Sequence, residues 1–221
     1  MSSITITITI TSRSTRICRV EHHVSNEERR GFSIGHSNFL IEQFLDLLKT
    51  HNIEALVDVR SKPYSAYARQ YDMEPLRSAV SSAGLRYVFL GRELGGHPDN
   101  TEFYDPDGHV LYERLAPSPA FQRGLAALET EMKGRRIAIM CSEENPASCH
   151  RRLLIGRVLA TRGVSLEHIR ADGRVQTEAD LLFEETGGQG DLFADSEDPA
   201  AWRRSTQSAS QRKPRPSSSN R

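Results

Sequence analysis

The chain has 221 residues, which is enough for one substantial hydrophobic core and additional terminal segments. Its 29 acidic residues balance 29 basic ones, so no net charge draws the whole protein towards nucleic acid or a membrane surface. Three cysteines are too few, and odd in number, for a disulfide framework, which predicts a reducing compartment such as a bacterial cytoplasm. No apolar run approaches the ~20 residues that cross a bilayer, so we expect no membrane partner.

The first 30 residues form an N-terminal arm in which residues 3–10 alternate Ser, Ile and Thr at the period of a strand. The polar stretch that follows, up to Arg30, gives such a strand nothing to lead into. We therefore expect the arm to be disordered or to add an edge strand to the sheet.

Residues 31–186 carry alternating strand and helix patterns and are predicted to form one α/β domain. Apolar runs predict strands at residues 31–35, 55–59, 87–90, 136–141 and 166–169. Helical spacing predicts helices at residues 39–51, 72–84, 119–132, 146–162 and 177–185. This alternation indicates a doubly wound, mostly parallel sheet of about five strands with helices on both faces. Residues 91–119 form a long connection of the kind that often serves as a functional lid.

Polar side chains follow three of the predicted strands, where ligands bind in sheets of this class. His36, Ser37 and Asn38 follow the first strand. We expect Ser37 or Asn38 to cap the next helix, whose free amides suit an anion, although capping alone needs no ligand. His36 favours a functional role, because a cap does not require imidazole.

Asp58 lies within the apolar second strand. An unpaired buried carboxylate costs several kcal/mol, which predicts a partner such as Arg60, His36 or a helix amide. Either a structural ion pair or a functional group explains this pattern.

The segment after the fourth strand carries the most reactive side chains of the chain: Cys141, Glu143, Cys149, His150 and Arg151. Pro146 suits the first turn of a helix, and a thiol near a helix N-terminus and near Arg or His is driven towards thiolate. Two alternatives remain open. The cysteines, His150 and His36 could bind zinc, although their spacing matches no standard ribbon or finger, or both cysteines could be small buried hydrophobes. We predict no other cofactor.

These motifs together carry a resemblance to a known family. They are Ser33-Ile-Gly-His-Ser37, Leu56-Val-Asp-Val-Arg60 with Pro63, Glu93-Leu-Gly-Gly96, and Cys141-x-Glu143-x-x-Pro146-x-x-Cys149-His150-Arg151. In this order they resemble the domain of unknown function 488 family over residues 31–169. The resemblance implies an α/β fold and a shared polar site built from these strand-end residues, and it supplies no reaction.

Residues 187–221 are rich in Gly, Ser, Asp and Arg and are predicted to form a disordered tail. Within it, Gln189, Leu192 and Phe193 resemble the Gln-x-x-Leu-Phe peptide with which bacterial DNA-processing proteins bind the replication sliding clamp. The alternative is that Leu192 and Phe193 pack onto their own domain.

Three functions compete. The first is an enzyme acting on a phosphate-bearing small molecule, nucleotide or nucleic acid. Arg60, Arg151, Ser37 and Asn38 would bind the anion, and Cys141 or Cys149 would be the nucleophile or redox thiol. In that scheme His150 or His36 is the acid or base, Asp58 orients it, and Glu143 completes the site.

The second function is a non-catalytic DNA-maintenance module recruited to the clamp. The third is a zinc-stabilised structural domain.

Overall fold

The computed structural model describes residues 29–65, 67–187 and 204–208. Six strands form one sheet in the order β3-β2-β4-β1-β5-β6. Neighbours are parallel except β6, which is antiparallel to β5. The strands are β1 (Arg29–Gly35), β2 (Ala55–Asp58), β3 (Arg86–Phe89), β4 (Ile137–Cys141), β5 (Val164–Ile169) and β6 (Val175–Gln176). The predicted α/β fold with a mostly parallel sheet is therefore confirmed, with one strand more than expected.

Helices pack on both faces of this sheet. They are α1 (Ile41–Thr50), α2 (Met73–Ser82), α3 (Gly91–Leu94), α4 (Tyr112–Leu115), α5 (Pro119–Gly134), α6 (Arg157–Ala160) and α7 (Glu178–Glu185), with a π-helix (Arg151–Gly156) directly before α6. One apolar core joins α1 and α2 to the sheet, and a second joins α3, α5 and the π-helix to it. Among the described residues, every helix is too short or too polar to cross a bilayer.

Two helix starts differ from the prediction. α1 begins at Ile41 after Leu40, without a side-chain cap, so neither Ser37 nor Asn38 caps it. The chain first follows the exit of β4, where the amide of Ser37 donates to the carbonyl of Ser142 at 2.9 Å. The helix predicted from residue 146 starts only around His150, where the π-helix Arg151–Gly156 follows, because Pro146 to Cys149 form turns in which the Cys149 amide donates to the Pro146 carbonyl at 3.0 Å.

The connection predicted as a loop contains regular structure. Between residues 91 and 119 lie α3, a 3₁₀ turn (Thr101–Phe103) and α4. Residues 204–208 of the predicted tail lie against this connection, because the Ser205 amide donates to the Val110 carbonyl at 2.8 Å. The other residues of the tail, and residues 1–28 of the arm, lie outside the described residues.

Candidate active site

The three predicted polar strand ends belong to three adjacent central strands. The sheet places β4 between β2 and β1, with Gly35 beside Cys141 and Asp58 beside Met140 in the strand register. The carboxyl ends of parallel strands meet at one edge, so the side chains that follow them converge there. The candidate site lies at this edge.

The end of β1 is crossed closely by the chain that leaves β4. A Cβ atom added to Gly35 would lie 1.8 Å from the carbonyl oxygen of Glu143, a distance that no side chain can occupy. The His36 amide meanwhile donates to the Cys141 carbonyl at 3.0 Å. Gly35 therefore allows residue 143 to pass directly over the sheet edge.

His36 is buried and neutral. Its ring stacks on Tyr71 with the centroids 4.1 Å apart. Nδ1 must carry the proton, because it lies 2.7 Å from the Ser37 carbonyl, and Nε2 can then accept from Nη1 of Arg60 at 3.2 Å. Burial, and then the charge of Arg60, lower the pKa of His36 to about 4. A ring with that pKa is a weak base at neutral pH, so its described contacts suit a positioning role.

Asp58 and Arg60 form a buried ion pair, as the sequence predicted for Asp58. Nε and Nη2 of Arg60 donate to the two carboxylate oxygens at 2.9 and 2.6 Å. The hydroxyl of Tyr87 donates to the same carboxylate at 2.8 Å, and burial followed by this charge raises the pKa of Tyr87. These hydrogen bonds offset part of the cost of removing two charges from water.

Cys141 faces His150 across the centre of the site. Its Sγ atom lies 3.6 Å from Nδ1 of His150, and Sγ of Cys149 lies 3.8 Å from the same nitrogen. Nε2 of His150 donates to the Val59 carbonyl at 3.2 Å, which directs Nδ1 towards the thiols. Cys141 keeps 6% of its surface exposed, whereas Cys149 is fully buried.

The two thiols differ in acidity. A hydrogen bond from Cys149, together with the nearby His150, lowers the pKa of Cys141 well below that of an ordinary thiol. Burial and the neighbouring Cys141 raise the pKa of Cys149. Burial alone would lower the pKa of His150, but the charge of Cys141 raises it. The arrangement therefore favours a Cys141 thiolate beside a protonated His150.

Glu143 completes a group of four side chains that could hold a metal ion. One donor atom from each of Cys141, Glu143, Cys149 and His150 lies within 4.8 Å of the other three. Tetrahedral zinc, with bonds of about 2.0 to 2.3 Å, separates its ligand atoms by roughly 3.6 Å. The observed sulfur–nitrogen distances of 3.6 and 3.8 Å fit that separation, so these donors, without His36, could hold zinc.

Arg151 is held by the protein itself. It is 1% exposed, and its Nε donates to Ser33 Oγ at 3.2 Å while both terminal nitrogens donate to the carbonyls of Glu143 and Glu144. It therefore anchors the crossing segment over β1. Of the other predicted anion ligands, Ser37 is half-buried and Asn38 is exposed.

Several site residues were not predicted. Val59 acts through its carbonyl, Tyr71 and Tyr87 come from elements between the motifs, and Gly96 packs on His150. A Cβ on Gly96 would lie 2.7 Å from Cγ of His150. Among these, Val59 and Gly96 had a sequence signal, since they lie in the Leu56-Val-Asp-Val-Arg60 and Glu93-Leu-Gly-Gly96 motifs. Gln189, Leu192 and Phe193 lie outside the described residues, so their clamp-binding role stays a prediction.

Comparison with known proteins gives a family but no reaction. A family model described as domain of unknown function DUF488 matches residues 40–158, which is more than half of the chain. No curated protein matches the chain. No solved structure matches it either.

Proposed function

The chain belongs to the family described as domain of unknown function DUF488, and we propose that it is a thiol-dependent enzyme with Cys141 as the nucleophile. One observation carries this proposal: Sγ of Cys141 lies 3.6 Å from His150, whose other nitrogen is fixed by the Val59 carbonyl. A nucleophile, a base and a group that orients the base are the parts that covalent catalysis requires.

The proposed reaction is group transfer in two steps. The Cys141 thiolate attacks an electrophilic carbon or phosphorus of the substrate, and the bond to the leaving group breaks as His150 gives that group a proton. Water then attacks the thioester or thiophosphate while His150 takes the water proton, which releases the product and restores the thiolate. Cys149, fully buried with a raised pKa, serves as a hydrogen-bond donor to the thiolate.

A phosphate-bearing substrate remains part of the proposal, with weaker support than the nucleophile. Arg60 is engaged by Asp58 and His36, and Arg151 by Ser33 and two carbonyls. A phosphate would have to compete with these contacts. Under this proposal the two arginines hold neighbouring residues of the site in place, and other groups would bind the charge of the substrate.

Simple chromogenic esters test the proposal. With p-nitrophenyl acetate and p-nitrophenyl phosphate, we expect an initial burst of one p-nitrophenol per chain from at least one of the two esters. Cys141→Ser should lose the burst, and Cys149→Ser, the matched control, should keep it. Because Cys18 lies outside the described residues, every protein in the comparison carries Cys18→Ser. A full burst from Cys141→Ser, or no burst with either ester, would overturn the proposal.

A second candidate is a zinc centre, favoured by the separation of the four donor atoms. Two cysteines and a carboxylate surround one imidazole, and a divalent cation would bind the cysteines as thiolates and neutralise their charge. The hydrogen bond from His150 to the Val59 carbonyl is also of the kind that orients metal-bound histidines in other proteins. Zinc here would stabilise the fold, or would activate water if Glu143 gave up its position.

Metal analysis separates the two candidates. Protein purified without chelator should contain one zinc per chain if the centre is a metal site, and both Cys141→Ser and Cys149→Ser should lose it. Metal-free protein that reacts through Cys141 supports the enzyme with a free thiol instead. One equivalent of zinc together with unreactive thiols would overturn that first proposal.

A further inference from the structure

The outer edge of β5 is only partly paired. β6 contacts β5 at His168 and Ile169, where it pairs with Gln176 and Val175. Within the described ranges, no strand pairs with the outer edge of β5 between Val164 and Glu167, although the inner edge pairs with β1 along its whole length. The unpaired N–H and C=O groups of such an edge can form hydrogen bonds with another strand.

A groove of about 490 Å³ runs along this open edge. Four consecutive residues of the strand line it, and side chains of consecutive strand residues point to opposite faces. A groove that reaches all four must therefore lie along the edge rather than on one face. Its other walls come from Arg30 of β1, whose side chain reaches Glu167 at 3.4 Å, and from the π-helix, α6 and the start of α7. These walls include the small residues Gly156, Ala160 and Ala179 and the charged residues Arg152, Arg157 and Glu178.

The two faces at this edge differ in polarity. Leu166 and His168 are buried on one face, whereas Ser165 and Glu167 are half-buried on the other. A strand that fits here needs apolar side chains on the first face and polar ones on the second, in strict alternation.

Residues 3–10 of this chain have that alternation, with Ile at positions 4, 6, 8 and 10 and Thr at 5, 7 and 9. They precede β1, whose first residue, Arg29, pairs with Val164 on the inner edge of β5. The outer edge lies two strand spacings from β1, or roughly 10 Å. The 18 residues between position 10 and Arg29 can span several times that distance, at ~3.3 Å per residue when extended.

We propose that residues 3–10 add to the outer edge of β5 as a further strand, with the Ile side chains beside Leu166 and the Thr side chains beside Ser165 and Glu167. The arm then satisfies the backbone groups of this edge, fills the groove with apolar side chains and prevents association of sheets between molecules. This inference is independent of the thiol chemistry, because the groove and the thiols lie at different places.

Hydrogen exchange of the full chain tests the proposal directly. We expect the outward amides of residues 164–167 to be protected, and a variant lacking residues 2–12 to exchange them about tenfold faster or more, as paired amides do when their partner is lost. A variant lacking residues 209–221 is the matched control and should leave them unchanged. Equal rates with and without residues 2–12 would overturn the proposal, as would protection that appears only at high protein concentration, which indicates a second copy.

Two further experiments cover the case in which deletion unfolds the domain. In full-length protein, Ile6→Pro removes a donor and bends the added strand, so it should speed exchange at residues 164–167 and spare β4. Oxidation of Ser165→Cys should cross-link with Thr5→Cys or Thr7→Cys more than with Ile6→Cys, because only Thr shares its face. Cross-linking without that alternation, or none at any position, would overturn the assignment.

Discussion

Arg60 holds the carboxylate of Asp58 with two nitrogens, at 2.9 and 2.6 Å, in a pair that is almost completely buried. Arg60 also donates to His36, so one guanidinium joins the ends of β2 and β1. Removing the carboxylate would leave Arg60 charged and buried without its counter-ion. Asp58→Asn should therefore lower the free energy of unfolding by about 3 to 5 kcal/mol, measured by urea denaturation.

An exposed ion pair provides the control for this variant. Glu74 and Arg77 are 2.9 Å apart with side chains 74% and 47% exposed. Glu74→Gln should change the free energy of unfolding by less than ~1 kcal/mol. If Asp58→Asn were as mild as Glu74→Gln, the buried pair would not be the main connection between these strand ends.

His36 gives the stability a dependence on acid pH. Its pKa is about 4 in the folded protein and about 6.5 in the unfolded chain, so the unfolded state binds more protons between those values. Stability should be unaffected by His36 above pH 6.5 and fall as the pH drops from 6.5 to 4, by about 3 kcal/mol in total. The difference between wild type and His36→Asn in urea titrations across that range isolates this contribution.

A direct measurement checks the same assignment. NMR titration of the His36 ring should give a midpoint near 4 and the tautomer with the proton on Nδ1. A midpoint near 6.5 would show that the ring is solvated and available as a base, and His36 would then be a candidate acid or base of the reaction.

The fold and the composition of the site were largely predictable, because both depend on short-range patterns. Apolar runs predicted the five parallel strands, and the C-terminal ends of parallel strands lie together at one edge of the sheet. The antiparallel β6 has two residues, too few for any period to be visible. The start of the π-helix at Arg151 was also unpredictable, since Pro146 is equally compatible with a helix that begins at residue 146.

The contacts that set the chemistry were beyond sequence analysis for a different reason. The Val59 carbonyl orients His150, and because every residue has a backbone carbonyl, the residue type does not reveal this role. Arg151 was predicted to bind an anion, yet it donates to the carbonyls of residues 143 and 144, which come within reach because the chain crosses Gly35. Long-range packing therefore decided what each predicted side chain contacts.

The two thiols should react at different rates with iodoacetamide. Cys141 is slightly exposed with a lowered pKa, whereas Cys149 is fully buried with a raised one. At pH 7, peptide mass spectrometry should find Cys141 alkylated first, and its rate should rise with pH around a midpoint below the ordinary ~8.5 of a free thiol. His150→Gln should raise that midpoint by removing the cation. Faster alkylation of Cys149 would reverse the assigned roles.

Gly96 should control reactivity although it carries no functional group. A Cβ at this position would lie 2.7 Å from Cγ of the buried His150, so the ring must move away from the thiols or the connection must shift. We expect Gly96→Ala to slow alkylation of Cys141 at pH 7 by about tenfold, as loss of imidazolium contact lowers the thiolate fraction. Gly134→Ala is the matched control, because a Cβ there meets no atom within 4 Å. An equal alkylation rate in both variants would mean that Gly96 does not hold the ring against Cys141.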